Sequence, residues 1–447
     1  MTETASDTIC ALASGTLPSA IALVRISGPA VQAIAASLFP AGLPRPRIAT
    51  LAAITDPGGT TLDQGLATFF PAPRSYTGED MLEVSLHGGP AIVSSVLDTI
   101  TGIDGVRLAD RGEFTRRAFE AGKLDLTAAE AVADLIDAET PGQRDQALAQ
   151  LGGSLKGTYL DWRKTLLEIL ALVEVAIDFP DEGDAPTQTD GPVSERLERL
   201  ESELTAALAP EAVGESIRDG FRIALIGAPN AGKSSLLNRL AGRDVAIVTD
   251  VPGTTRDVIE VRLQLAGHLV RVMDTAGLRD TDDPIEMEGM KRALSTAKDA
   301  EMTVLVLDGT SHTSSQSDPA SLQPDITVLN KSDRDDWSDR DVSRETLPIS
   351  AKTGDGLDRL INAIETQIET RTSAAPAALV TRARHRSGLA AARTHFSAAV
   401  AALNAGQGPE FAAEDIRRAV QELSGLMGQI DVEDVLGAVF SEFCIGK

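Results

Sequence analysis

Apolar residues recur along this chain with two different periods, and the change from one to the other divides it. Over the first hundred-odd residues the apolar runs are short. Ala20 to Ile26, Ala67 to Phe70 and Met81 to Leu86 read as β-strands, and Gly88-Gly89-Pro90 opens a helix ending near Ile100. From Leu126 the period becomes helical. Thr140-Pro141 supplies an N-cap followed by proline at the first helical position. Leu148, Leu151, Leu155, Tyr159, Trp162, Leu166, Ile169, Val173 and Ile177 then fall three or four apart, which predicts one apolar face over many turns, packed in a helical bundle. Asp178 to Pro192, rich in Asp, Pro and Thr, reads as a loop. Val193, Leu197, Leu200, Leu204 and Leu208 form the inward face of a further helix running towards Arg218. Residues 219 to about 372 alternate strand and helix, as a parallel α/β sheet does. Thr372 to Pro376 reads as a linker. Helical spacing then returns at Leu389, Phe396, Val400 and Leu403, at Ile416, Val420 and Leu423, and at Val432, Leu436 and Phe440. The expected architecture is α/β and all-α multidomain: an N-terminal α/β domain over 1–119, a discontinuous helical domain over 120–218 and 373–447, and an α/β unit over 219–372 inserted into it.

Composition narrows the function. Length alone, at 447 residues, points to two to four domains. With 41 basic against 66 acidic residues the net charge is −25, so the chain as a whole repels a phosphate backbone. Any nucleic-acid contact needs a local basic patch or a partner protein. Aromatics are scarce at 3%, which favours helices over β-sandwiches. The two cysteines, Cys10 and Cys444, lie at opposite ends, so there is no disulfide framework and no metal-ligand spacing. The start, Met1-Thr2-Glu3-Thr4, has no basic region and no apolar stretch, and the longest apolar segment, Leu166 to Ile177, is broken by Glu168 and Glu174. A cytoplasmic location is expected.

The most specific chemistry is a phosphate loop. Gly227-Ala228-Pro229-Asn230-Ala231-Gly232-Lys233-Ser234 matches G-x-x-x-x-G-K-[ST] in full, after the apolar run Phe221 to Ile226 and before a helix over Ser235 to Leu240. Such a loop turns backbone N–H groups towards phosphate oxygens at a helix N-terminus. Lys233 would reach the terminal phosphates and the Ser234 hydroxyl a magnesium ion. Four further elements follow in order. Thr249-Asp250-Val251-Pro252-Gly253-Thr254-Thr255-Arg256-Asp257 reads as a switch loop, with Thr255 as a second magnesium hydroxyl. Asp274-Thr275-Ala276-Gly277 ends the strand Leu269 to Met273 and can hold the magnesium shell and sense the γ-phosphate. Asn330-Lys331-Ser332-Asp333 follows the strand Asp325 to Leu329; its carboxylate can accept from guanine N1–H and the exocyclic amine, a pair adenine lacks. Ser350-Ala351-Lys352, after Leu347-Pro348-Ile349, is the loop that backs the base. Together they predict a GTP site on a Ras-like P-loop domain.

Hydrolysis needs a device of its own. Leu278 stands where small signalling GTPases place a water-orienting Gln, and a leucine cannot orient water. Acidic residues lie just downstream: Asp280, Asp282, Asp283, Glu286 and Glu288. No arginine finger is evident, since Arg256 fits a structural ion pair. A metal cation could neutralise the transferring phosphoryl charge instead, and Asn230 offers it a side-chain oxygen.

Taken over its whole length, the chain resembles the bacterial tRNA uridine-modification GTPases, the MnmE (TrmE) family. The resemblance rests on Phe443-Cys444-Ile445-Gly446-Lys447 at the C-terminus and on the blocks Val24 to Gly28, Ser75 to Asp80, His87 to Pro90, Arg111 to Phe114 and Gly122 to Leu126. It implies an N-terminal domain that dimerises and GTP hydrolysis promoted by potassium and by pairing of G domains across a homodimer. The potassium ligands it implies are Asn230, Thr249, Val251 and Thr254, and the residue orienting the attacking water is Glu286. It also implies a one-carbon-carrying tetrahydrofolate (5-formyl or methylene) at Arg25, Glu83, Lys123 and Lys447. With a flavin-dependent partner of the glucose-inhibited-division type, in a heterotetramer, such a protein modifies C5 of the wobble uridine; the net charge of −25 adds the expectation that the partner supplies most of the tRNA contacts. In Ser14 to Ala20 the chain departs from the family's glycine-rich turn. A GTP-switched ribosome assembly factor and a folate-binding scaffold are the competing expectations.

Overall fold

A computed structural model of the chain describes residues 7–178, 191–208, 213–247, 260–274, 300–310, 323–338, 346–373, 380–405, 409–429, 433–441 and 443–446. They fall into two compact units, one of residues up to Ala133 together with Ser424 onwards, the other of Asp134–Leu423.

In the first unit, β1 (Thr8–Leu12), β2 (Ser19–Ser27), β3 (Thr50–Thr55), β4 (Thr61–Phe70), β5 (Met81–Gly88) and β6 (Val106–Leu108) form one sheet ordered β3-β4-β5-β2-β1-β6. β1 and β6 are parallel and the other neighbours antiparallel. Alternation within β2 and β5 decides which side chains reach each face. Val24, Ile26, Leu82 and Val84 are fully buried beside Ile34 and Leu38 of α1 (Val31–Leu38) and Val96 and Ile100 of α2 (Pro90–Thr101). The residues between them, Arg25 and Glu83, therefore face the other way, directly opposite each other across the β2–β5 pair. Past α3 (Glu113–Glu120), α4 (Leu126–Asp137) contributes Leu126, Ala129 and Ala133 to a second small core with Leu436, Phe440 and Phe443 from the C-terminal segment.

In the second unit, the capping signal at Thr140 is present: Thr140 Oγ1 accepts from the Gln143 amide and Gln143 Oε1 accepts from the Thr140 amide. The expected single stripe from Leu148 to Ile177 is, however, two helices, α5 (Pro141–Leu151) and α6 (Ser154–Asp178). Gly152 and Gly153 separate them, and Gly153 sits at φ +91°. Leu148 is consequently 47% exposed rather than inward. Within α6 the spacing holds, with Leu155, Tyr159, Trp162, Leu166, Ile169 and Val173 buried. α7 (Gly191–Leu208) buries Leu200, Leu204 and Leu208, and α8 (Val213–Asp219) leads into the second sheet.

That sheet consists of β7 (Phe221–Ile226), β8 (Glu260–Leu265), β9 (His268–Asp274), β10 (Met302–Asp308), β11 (Ile326–Asn330) and β12 (Leu347–Pro348), ordered β12-β11-β10-β7-β9-β8. All neighbours are parallel except the β8–β9 hairpin. Ile223, Leu225, Val272, Val304, Val306 and Val328 are its core, covered by Leu236 and Leu237 of α9 (Lys233–Ala241) and by Leu360 and Ile364 of α10 (Leu357–Ser373). In a parallel sheet the carboxyl ends of the strands share one edge, where ligands of such folds bind. Helical pattern resumes as expected in α11 (Ala383–Asn404), α12 (Pro409–Leu426) and α13 (Glu433–Ser441). Among the described residues no helix is long and apolar enough to cross a membrane.

Gly153→Ala should destabilise the folded protein by about 1 kcal/mol, because at φ +91° a β-carbon crowds the residue's own backbone, which outweighs the entropy alanine removes from the unfolded chain. No atom beyond its chain neighbours lies within 4 Å of the added methyl, so contacts with the rest of the structure add nothing to that cost. An unchanged denaturation midpoint would contradict this account of the break.

Candidate functional site

Each motif of the nucleotide constellation that lies among the described residues is at the carboxyl end of a parallel strand. The phosphate loop joins β7 to α9, Asp274 closes β9, Asp308 closes β10, Asn330 closes β11 and Ser350 follows β12. Sterics fix the glycines of the loop. Gly227 is at φ +146° and a methyl there would meet the Val306 carbonyl oxygen at 2.2 Å; Gly232 is at φ +100° and a methyl there would meet Asn330 Nδ2 at 2.1 Å. Asn230 is at φ +63°, a conformation asparagine tolerates better than most residues, and it is exposed at the mouth of the loop.

Lys233 is almost fully buried and its Nζ donates to the carbonyl oxygens of Gly227 and Ala228 at 2.8 and 3.0 Å. The ammonium thus lies inside the loop. Ser234 Oγ donates to Asp274 Oδ2 at 2.5 Å, so two residues expected near magnesium from separate elements meet below the loop. An oxygen-only donor pair of hydroxyl and carboxylate suits a hard divalent cation.

On the base side, Asn330 is 2% exposed and makes two hydrogen bonds to other loops. Its Nδ2 donates to the Ala231 carbonyl oxygen at 2.8 Å, and its Oδ1 accepts from the Ala351 amide at 2.9 Å. One carboxamide therefore links the phosphate loop to the loop after β12. Asp333 accepts from Ser350 Oγ at 2.7 Å, and Lys352 Nζ stands 4.0 Å from its other oxygen. The Ser350 hydroxyl foremost holds the Asp333 carboxyl below the usual carboxylate range. Asp308 lies outside the motifs read from the sequence. Its Oδ2 accepts from Lys331 Nζ at 2.6 Å and its Oδ1 from the Thr310 amide and hydroxyl at 3.0 and 2.7 Å. Its signal was an acid directly after the apolar run Met302 to Leu307. Ser235 and Gly232 sit at the start of α9 as expected. Thr249, Asp250, Val251, Pro252, Gly253, Thr254, Thr255, Thr275, Ala276, Gly277 and Glu286 lie outside the described residues.

The second group of expected site residues is in the first unit. Arg25 and Glu83 form an ion pair, Nε to Oε1 at 3.0 Å and Nη2 to Oε1 at 2.9 Å, each side chain about one-fifth exposed. The guanidinium carbon lies 5.5 Å from the Tyr76 ring centroid and 5.7 Å from that of Phe114, two neighbours the sequence did not single out for the site. Burial pushes the Tyr76 phenol up, and its hydroxyl is 2.9 Å from that of Thr115. Lys123 is exposed and donates to the Pro73 carbonyl oxygen, so it and Arg25 flank the same 73–78 loop. Lys447 lies outside the described residues. Its neighbours run back to this unit: Ile445 bridges Arg111, and a methyl on Gly446 would meet the Leu12 carbonyl oxygen at 2.1 Å. Cys444 is exposed, whereas Cys10 is buried and its thiol is pushed up to about 11.

Two family models together cover most of the chain. The family model "GTP-binding protein TrmE N-terminus" matches residues 8–123, and "MnmE helical domain" matches residues 126–444. The tRNA modification GTPase MnmE of Hyphomonas neptunium is 55% identical over 444 residues, covering 99% of this chain and 100% of the relative. Those of Azorhizobium caulinodans and Caulobacter vibrioides are 48% and 47% identical, each covering 99% of this chain and at least 99% of the relative.

Two outcomes follow from the geometry. Asn330→Ala leaves a buried carbonyl and a buried amide without partners, at about 1–3 kcal/mol each; guanine-nucleotide affinity should fall at least about tenfold, and calorimetric titration with GDP giving wild-type affinity would contradict this. Asp308 carries a pH signature. Burial alone would raise its carboxyl, but Lys331 and the Thr310 donors outweigh burial and hold it below the usual range. A carboxyl lower in the folded state stabilises above its unfolded value, about pH 4, and that stabilisation is lost as pH falls through the folded value. Asp308→Asn should flatten acid unfolding in that window, and an unaltered acid slope would contradict the assignment.

Proposed function

The chain belongs to the MnmE family of tRNA modification GTPases, and on that premise we propose that it hydrolyses GTP to drive C5 modification of the wobble uridine of tRNA, working in the cytoplasm with a flavin-dependent partner. The observation that carries the reading is the convergence of Gly227 to Ser234, Asp274, Asn330, Asp333 and Ser350 on one sheet edge, in a chain aligned with curated relatives over their whole length.

The residues have these roles in the proposal. Backbone amides from Asn230 to Ser235 cradle the phosphates, and Lys233 turns from the Gly227 and Ala228 carbonyls to the terminal phosphates. Ser234, Thr255 and the Asp274 shell would hold magnesium, which would neutralise phosphate charge. Thr249 to Thr255 and Thr275 to Gly277 follow the state of the γ-phosphate. Asp333 reads the guanine edge, and Lys331, Ala351 and Lys352 flank the base. Glu286 orients the attacking water. Asn230, Thr249, Val251 and Thr254 would hold potassium, which would supply the positive charge that other switches take from a guanidinium. The exposed, left-handed Asn230 supports that role, because its carboxamide is not tied into the core.

In the first unit, Arg25, Glu83, Lys123 and Lys447 form the one-carbon folate site. Glu83 accepts from the pterin edge while Arg25, already paired to it, fixes its orientation; Lys123 meets the carboxylate tail. Two copies pair through the N-terminal α/β domain, residues 1–119, and the helical segments 120–218 and 373–447 carry the G domain, residues 219–372.

Nucleoside mass spectrometry of tRNA from cells lacking this gene should show the C5 side chain missing from wobble uridine. Normal nucleosides with disturbed ribosome profiles would transfer the assignment to ribosome assembly. GTP turnover should be faster in potassium than in sodium, and Asn230→Ala should slow it by about tenfold or more and erase the difference between the two salts; a variant as fast and as salt-dependent as the wild type would remove potassium from the mechanism.

A further inference from the structure

Four of the eight guanidinium groups of the first unit are engaged by carboxylates, and of the other four Arg111 stands apart, in a segment bridged to Ile445. Arg25 pairs with Glu83, Arg107 with Asp7 and Glu113, Arg116 with Glu120, and Arg117 with Asp7, Glu79 and Glu113. Arg45, Arg47 and Arg74 differ. All three are exposed, and none makes an ion pair with any other described residue. They also adjoin one another. Arg47 Nη2 donates to the Arg74 carbonyl oxygen, and the Ile48 amide closes a turn onto the Arg45 carbonyl oxygen at 3.2 Å. Lys123, through the Pro73 carbonyl oxygen, extends the same positive surface.

The segments carrying these arginines, Pro44 to Ile48 and Pro71 to Arg74, contain no acid. Asp80, which reaches one of them, accepts at Oδ1 from the Ala72 amide at 2.8 Å. The segments are also held before anything binds. Pro44, Pro46, Pro71 and Pro73 restrict the backbone. The Arg47 amide donates to the Phe69 carbonyl oxygen at 2.8 Å, and its guanidinium carbon lies 5.9 Å from the Phe70 ring centroid. Pre-ordered cations repel each other, and in a chain of net charge −25 these three lack a carboxylate partner among the described residues. An external polyanion meets that requirement, and arginine forks match phosphate oxygens in pairs.

We propose that Arg45, Arg47 and Arg74 form a contact surface for the phosphate backbone of tRNA. The proposal rests on the reading of tRNA as substrate and adds where this chain touches it. Three arginines reach about three phosphates, a weak contact that orients an RNA held chiefly by the partner protein, and the acidity of the remaining surface confines the RNA to this side.

The test is fluorescence anisotropy of an end-labelled tRNA transcript with the full-length protein, between about 50 and 200 mM KCl. Wild type should bind weakly, with affinity falling as salt rises. The variant R45Q/R47N/R74Q, with asparagine chosen for the positive φ of Arg47, should lower the slope of log affinity against log salt by about two to three. R74Q alone should lower it by about one, and both should keep wild-type GTP turnover and melting midpoint. An unchanged slope in either folded variant overturns the proposal. So does a poly-glutamate chain whose binding depends on the three arginines while tRNA binding does not, which would make the partner an acidic protein. Altered tRNA nucleosides in the deletion strain together with an unchanged slope would remove this surface alone; normal nucleosides would remove the substrate reading itself.

Discussion

Asn330 is the side chain on which the nucleotide end of the second unit depends. Its carboxamide donates to Ala231 in the phosphate loop and accepts from Ala351 after β12, in a place where water does not reach. Two loops separated by more than a hundred residues of sequence are thereby held at one spacing. Gly232 is part of the same constraint, because any side chain there would displace the carboxamide. The Asp308–Lys331 pair ties the next strand end into the arrangement, and Asp333 with Ser350 completes it. A pocket that must span phosphates at one end and a base at the other needs such a fixed distance, and buried hydrogen bonds provide it more rigidly than exposed ion pairs.

The same economy governs the first unit. Strict alternation in β2 and β5 sends Val24, Ile26, Leu82 and Val84 inward and leaves Arg25 opposite Glu83 on the other face. Tyr76 and Phe114 then bracket the guanidinium. An arginine held by a cross-strand carboxylate and two rings loses little freedom on meeting a ligand. In the nearby loops, by contrast, Arg45, Arg47 and Arg74 have no ion-pair partner among the described residues. The two groups differ in neighbours rather than in residue type, and this separates an internal positioning role from an outward one.

Much of this was legible in the sequence, and the exceptions have physical causes. The strand Phe221 to Ile226, the capping at Thr140 and the buried face of α6 followed from period and capping chemistry, because each is decided by residues close in sequence. The break at Gly152-Gly153 was not foreseen, since Leu148 and Leu151 continue the spacing and only the backbone conformation of Gly153 interrupts it. β1, β3 and β6 leave a weaker trace in the sequence; in Thr50 to Thr55 exposure is mixed and the alternation is weak. Asn330 is visible in the sequence as part of a base-reading motif, yet its link to Ala231 depends on a contact across the sheet edge that no local pattern encodes. The packing of Tyr76 and Phe114 on Arg25 escaped for the same reason.

In the proposed function Asp333, in the loop from Asn330 to Asp333, reads the guanine edge, and exchanging the hydrogen-bond sense of that loop isolates this role. In Asp333→Asn the carboxylate becomes an amide that can donate, which suits the C2 carbonyl of xanthine and not the amine of guanine. The measurement is steady-state hydrolysis of GTP and XTP by the full-length wild type and variant. The variant should lose GTP turnover by a factor of about a hundred or more and gain XTP turnover. Retained preference for GTP in a folded variant would contradict this role.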